Sequence, residues 1–282
     1  AYAAEGGRAD VLAYNPAGLG ALAGTELSAL YHAGFSGDTL LSAQGGFRIP
    51  RGALAVGAAY YNAGSVEKLL VNGDLVEISG ERDVVAQAGA GFALPWAGLS
   101  LGGAAEVLHS QLVEEIEGTA VAGSLGVRWE LPARGLAFGA AAQHFGGPLT
   151  MASDRVRLPR TVRVGAAYRL TVPAFGSLQG LGSAEPFEPG ADPHAFLLLA
   201  ELVERTVERE LTYAGGVEYE YAGVLAVRGG VRQIARGTAA VQRVFGAGAG
   251  ARVLGIRLDY AIEFLPFTAL HRVGLTIVRR AE

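Results

Sequence analysis

The sequence predicts an all-β protein: a single transmembrane antiparallel β-barrel of about 14 strands. Three observations carry this reading. Half of the 282 residues are hydrophobic and only 18% are charged, against about a quarter charged in ordinary soluble domains. The longest apolar runs, such as "AFLLLAELV" at 195–203, have about half the ~20 residues that a membrane-crossing helix needs. Much of the remaining chain alternates with period two, as a strand with two unlike faces requires. Backbone polar groups in hydrocarbon must be satisfied internally, so a membrane-like composition without a spanning helix leaves a closed barrel.

In chain order, strands are expected at 25–35, 39–48, 52–62, 83–94, 98–109, 119–131 and 135–145. They continue at 160–170, 195–205, 210–222, 224–233, 240–251, 254–264 and 271–279. The alternation is cleanest late in the chain. Leu254, Ile256, Leu258, Tyr260, Ile262 and Phe264 interleave with Gly255, Arg257, Asp259, Ala261 and Glu263. Upstream, the less apolar parity is built of small residues: Gly89 and Gly91, Ser124 and Gly126, Gly165 and Ala167. The stretch 195–205 reads either as a strand or as a helix capped by Asp192 and Pro193. Fourteen is an even number, as in bacterial single-chain barrels.

The connections alternate in length. Short turns are expected at 49–52, 95–98, 132–135, 221–223 and around Arg252-Val253. Longer loops are expected at 63–82, 110–118, 146–159, 233–239 and 265–270, and 171–194 would be a long connection on the short-turn side. In a soluble barrel the apolar parity would face inward. Here the other parity holds small residues with scattered Arg and Glu, which suits a narrow lumen better than a solvent face. Tyr60, Phe92, Trp129, Tyr168, Tyr219, Tyr221, Tyr260 and Phe264 lie toward strand ends, where aromatic girdles form.

The N-terminal stretch 1–22, "AYAAEGGRADVLAYNPAGLGAL", does not alternate. Its core is Asn15, Pro16, Ala17, Gly18 and Leu19. Pro16 cannot join a ladder, Asn15 is driven toward an extended conformation, and Gly18 permits a tight bend. The motif resembles the one that precedes the first strand in FadL-like outer-membrane barrels, above all in the shorter PorV/PorQ-type proteins of type IX secretion. "LPRTVRVGAAYRL" (158–170), "GAGARVLGIRLDYAIEF" (248–264) and "HRVGLTIVR" (271–279) look like late strands of that superfamily. The resemblance implies that residues 1–22 form a plug, or hatch, inside a barrel of residues 23–282. It implies a non-enzymatic barrel that binds a partner protein in secretion or surface assembly. The alternative is passive transport of a hydrophobic small molecule, as in the larger FadL-like transporters. Leu30, Tyr61 and Val85 on the lumen parity keep that second role open.

Lumen-parity charges include Glu106, Arg128, Arg163, Glu201, Glu263 and Arg272. On the adjacent strands 210–222 and 224–233, Glu218 and Glu220 are expected to face Arg228 and Arg232, with Arg257 and Asp259 in the same network. It reads either as a structural lining or as a substrate path. His32, His109, His144, His194 and His271 stand at no metal-ligand spacing, so no metal is expected; Glu114, Glu115 and Glu117 read as a solvated acidic loop. With no cysteine, thiolate chemistry and Cys-based zinc sites are excluded. "GAGAG" at 246–250 lacks the lysine of a phosphate loop. No cofactor is expected. A net charge of −4 argues against nucleic acid as a partner. The expected partners are outer-membrane lipid, another protein and a hydrophobic ligand. The expected location is the bacterial outer membrane, after removal of a signal peptide.

Overall fold

The computed structural model describes residues 2–34, 37–69, 71–72, 74–95, 98–113, 115–131, 134–152, 154–172, 194–237 and 241–280. Among these, two short 3-10 helices, Ala9–Ala13 and Pro16–Ala21, precede the strands. The strands are β1 (Gly24–Ala33), β2 (Thr39–Ile49), β3 (Gly52–Asn62), β4 (Ser65–Leu69), β5 (Leu75–Ser79) and β6 (Glu81–Ala93). Next come β7 (Leu99–Leu112), β8 (Ile116–Leu131), β9 (Leu136–Gly146), β10 (Leu149–Met151), β11 (Asp154–Val156) and β12 (Thr161–Val172). The last are β13 (His194–Arg205), β14 (Glu210–Tyr221), β15 (Leu225–Arg236), β16 (Gln242–Val253), β17 (Ile256–Leu265) and β18 (Thr268–Arg280).

Fourteen of these strands close one antiparallel barrel in which chain neighbours pair, and β1 completes the ring against β18. Closure leaves no sheet edge, so every strand has a backbone partner on both sides. All fourteen expected strands are present. The ambiguous stretch is strand β13, paired along its length with β12 and β14. A helix there would have left both neighbours with unpaired edges. The remaining four strands make two separate hairpins, β4–β5 and β10–β11. They lie in stretches read from sequence as plain loops, because runs of three to five residues are too short for periodicity to register. Of the long connection 171–194, residues 173–193 fall outside the described residues.

The apolar rows face outward. Leu27 and Tyr31 on β1, Leu54 and Val56 on β3, Val121 and Leu125 on β8, and Leu258 and Tyr260 on β17 are all exposed. This is the reverse of a soluble barrel and the arrangement that a bilayer requires. Phe92, Trp129 and Tyr221 stand on the outer face at the short-turn rim, and Tyr60 and Phe264 at the opposite rim. The turn expected around Arg252-Val253 falls two residues later, at Leu254-Gly255, with φ of 51° and 80°. Ala222-Gly223 repeats it with 52° and 68°. Two left-handed residues in a row give the turn whose twist matches the flanking strands, and glycine takes the second position without strain.

Residues 2–22 take no part in the sheet. They lie inside the ring, against inward-facing residues of β1–β3, β6–β9, β12 and β13. Val11, Leu12, Asn15, Pro16 and Leu19 are among the most deeply buried side chains. Asn15 is the N-cap of the second 3-10 helix: its side-chain oxygen accepts from Ala17 N–H at 3.1 Å, and Pro16 opens the helix where an N–H would be unsatisfied anyway.

Candidate functional site

The lumen has two unlike walls. One, from β2 to β9, is shaped to the N-terminal segment by absent side chains. A Cβ at Gly102 would overlap Pro16, one at Gly126 would overlap Asn15 Oδ1, and one at Gly139 would overlap the Ala3 carbonyl. At Gly89 a Cβ would lie 2.6 Å from the Leu12 side chain, and at Gly46 2.8 Å from Leu22. The small parity read from sequence at Gly89, Gly91, Gly126 and Gly165 is thus the surface on which the segment rests. Leu12, Leu19, Leu22 and Val11 pack there with Ala53 and Ala55 in one apolar cluster.

Polar contacts fix the segment in register. Asn15 Nδ2 donates to the Ala3 carbonyl at 2.6 Å and to the Val127 carbonyl of β8 at 3.1 Å. One side chain therefore ties the start of the segment to its Asn15–Ala17 turn and to the wall. Arg128 Nε donates to the Ala4 carbonyl at 2.9 Å, and Gln143 Nε2 to the Ala13 carbonyl at 2.9 Å. Ala9 N–H donates to Glu26 and Ala3 N–H to Glu201, each at 3.0 Å. Pro16, Ala17, Gly18 and Leu19 are all buried. Gly18 lies against Glu5 and Val11, with room for no Cβ, and its carbonyl accepts from Gly7 N–H at 3.0 Å.

Burial governs the ionisable groups of the segment. It pushes the Tyr2 phenol up to about 12 and raises that of Tyr14, with which Tyr2 stacks at 4.7 Å between centroids. It also raises the Glu5 carboxyl, a shift that the cation of Arg169 opposes. Burial works against the Arg8 charge, but Asp10 prevails and holds it on through two bonds of 3.0 and 2.8 Å.

The other wall, from β14 to β18, is lined with ion pairs. Arg228 bridges Glu218 and Asp259, the latter at 2.6 Å, and Arg257 reaches Asp259 at 2.8 Å. Glu218 lies directly across from Arg228. Glu220 and Arg232 do not join this group. Glu220 lies opposite Ala226. Arg232 pairs instead with Glu263, which Arg272 also reaches at 2.8 Å. The expected network is therefore two clusters. Pairing by adjacent strands alone could not see this, because long arginines reach two strands away, from β15 to β17.

At the loop-side mouth the β10–β11 hairpin folds back over β8. A Cβ at Gly118 would lie 2.8 Å from Met151 Cγ. Leu149 and Leu158 are buried against Ala120 and Ala122 of the inner face of β8, with Leu108 and Met151 beside them. Along that face of β8 the order is Ala120 and Ala122 at the mouth, Ser124, Gly126 under Asn15, and Arg128 on Ala4. Of the acidic loop, Glu115 pairs with Lys68, and Glu114 falls outside the described residues. No group of His, Cys, Asp and Glu among the described residues could hold a metal.

No protein-family model matches the chain, and no curated protein does. Solved structures share its fold over nearly the whole length. The CymD monoaromatic hydrocarbon channel superposes with a TM-score of 0.62 at 11% identity, covering 100% of this chain and 95% of that one. The Pseudomonas putida toluene transporter TodX gives 0.60 at 12% identity, covering 98% and 95%. The Acinetobacter baumannii outer membrane protein Omp33 gives 0.50 at 12%, covering 91% and 98%. At such identities the likeness is one of fold.

Proposed function

We propose that this chain is a non-enzymatic outer-membrane channel for small hydrophobic molecules, in which residues 2–22 are the plug. The outward apolar rows and aromatic rims support placement in a bilayer. The observation that carries the channel reading is the order of features down the lumen. At the loop-side mouth an apolar cluster, with Leu149 and Leu158 buried and Leu108 and Met151 partly exposed, leads to an inner segment that the wall holds by a few hydrogen bonds and close backbone contact. A hydrophobic molecule leaves water at the mouth, gaining roughly 25 cal/mol for each Å² of apolar surface it buries, and passes when the plug shifts. The likeness in fold to channels named for monoaromatic hydrocarbons and toluene adds support. It supports the FadL-like transport role more than partner binding of the PorV/PorQ type, the reverse of the order expected from sequence.

The test is uptake. Cells making the barrel should accumulate labelled toluene faster than cells without it, and Leu149→Glu with Leu158→Glu should remove most of the gain by charging the mouth. Equal uptake with and without the barrel, together with a protein that co-purifies in fixed ratio, would reverse the order of the two roles again.

A further inference from the structure

We infer that the Glu106–His144 pair is a hydrogen-bonding station for a hydroxyl group on the transported molecule, so that small phenols are preferred over hydrocarbons of the same shape. The inference rests on the channel reading and adds a ligand class to it.

His144 lies on β9, where period two would turn its side chain to the outer face with Phe138. A β-bulge in the β8–β9 ladder, between Gly123 and Leu125, breaks that period. His144 takes φ of 60°, a conformation uncommon outside glycine that histidine tolerates better than most residues. Bulges of this kind re-aim a side chain. Here the ring turns into the lumen, where its Nδ1 meets Glu106 Oε1 of β7 at 2.5 Å. The backbone N–H of His144 donates to Ser124 Oγ at 3.3 Å, which holds the bulge.

With Nδ1 taken by Glu106, Nε2 is the ring nitrogen left for a second partner. Glu106 is largely covered, with 13% of its side chain exposed, while 34% of the His144 side chain stays open to the lumen. Nε2 has no partner among the described residues. The pair also stands in the right place. On β7, Leu108 of the mouth cluster precedes Glu106 by one inward step, and Ala104 packs on the plug cluster one step beyond it. On β8, Ser124 falls between Ala122 of the mouth and Gly126 under Asn15. A molecule moving from mouth to plug crosses this level, where the open imidazole nitrogen stands in a lining that also carries Gln87, directly across from Glu106, and Gln44. A phenol can donate to it, and a hydrocarbon of equal size cannot.

The purified barrel in detergent would be titrated with p-cresol and p-xylene, which differ by a hydroxyl in place of a methyl. The expected result is about three- to tenfold tighter binding of p-cresol, the range of one net hydrogen bond. In His144→Gly, which keeps the left-handed backbone and removes the ring, that preference should vanish while p-xylene still binds. In the wild type with labelled histidine, p-cresol should move one imidazole resonance that p-xylene leaves in place, a readout independent of any variant. Binding of both probes without preference, or a preference that survives in His144→Gly, would overturn the station and leave the channel standing. Failure of both probes to bind the wild type would overturn the channel reading and the station with it.

Discussion

The two walls of the lumen use the same residue for opposite ends. On the β2–β9 wall, the space left by Gly102 and Gly139 is taken by the backbone of Ala3, Ala4, Pro16 and Ala17, and that left by Gly126 by the Asn15 side chain. On the β14–β18 wall, the space at Gly250 is taken by side chains: Asp259 lies against it, and Arg228 Nη1 would be 3.2 Å from an added Cβ. Backbone in a glycine groove has one fit, because neither partner can rotate away. Long ion-paired side chains can change rotamer and partner. The first wall therefore holds residues 2–22 in one seat; in the channel proposed above, the second would offer them a charged surface along which to move. Tyr2, Tyr14 and Arg8 occupy the middle, and Arg163 of β12 sits 5.3 Å over the Tyr14 ring.

This contrast can be broken most sharply at the glycines. Gly102→Val, whose side chain would meet the Pro16–Ala17 backbone, should destabilise the seated segment by about 3 kcal/mol, as overpacking against backbone does. Proteolysis at Arg8 should then become fast while the barrel stays intact. On the opposite wall, an added Cβ at Gly246 would be 3.5 Å from the Ile262 carbonyl, so Gly246→Val should change plug release little. Equal effects of the two variants would abolish the distinction between the walls.

Next in size is Asn15→Ala, which removes a cap and two bonds to carbonyls. It should cost about 2 kcal/mol, read as faster hydrogen exchange at residues 3–17 with unchanged exchange in β14–β18. Smaller still is Asp259→Ala. It deprives Arg228 and Arg257 of a shared partner, but Arg228 keeps Glu218 and all three side chains stay partly exposed, so about 1 kcal/mol of barrel stability is expected to be lost. Plug exchange should not respond.

The smallest effect is one of pH. Burial raises the Glu5 carboxyl above its ordinary value of 4.5, so the seated plug binds that proton more tightly than the released one. The resulting stabilisation is full below 4.5 and is lost as pH rises through the raised value. Plug protection should therefore fall on going from acid toward neutral pH, and Glu5→Gln should flatten that fall.

Much of the barrel was legible along the chain. Period two marked all fourteen strands and told the inner face from the outer, because a strand between lipid and lumen must alternate whatever its neighbours are. Pro16 and Asn15 marked a stretch that could not be strand. Opposite charges on neighbouring strands narrowed the pairs without fixing them: of Glu218 and Glu220, only Glu218 stands opposite an arginine, Arg228. Other features depended on strands that meet only when the ring closes. Arg232 found Glu263 across an intervening strand, and the glycines of six strands became a seat only with the N-terminal segment laid across them. His144 shows the limit most plainly: its position in the alternation points to lipid, and one bulge in the ladder with β8 turns it to the lumen. The sequence by itself determined which residues alternate, because side-chain direction in a strand is a local property. What stands opposite what was decided by register, bulge and closure, which no single strand carries.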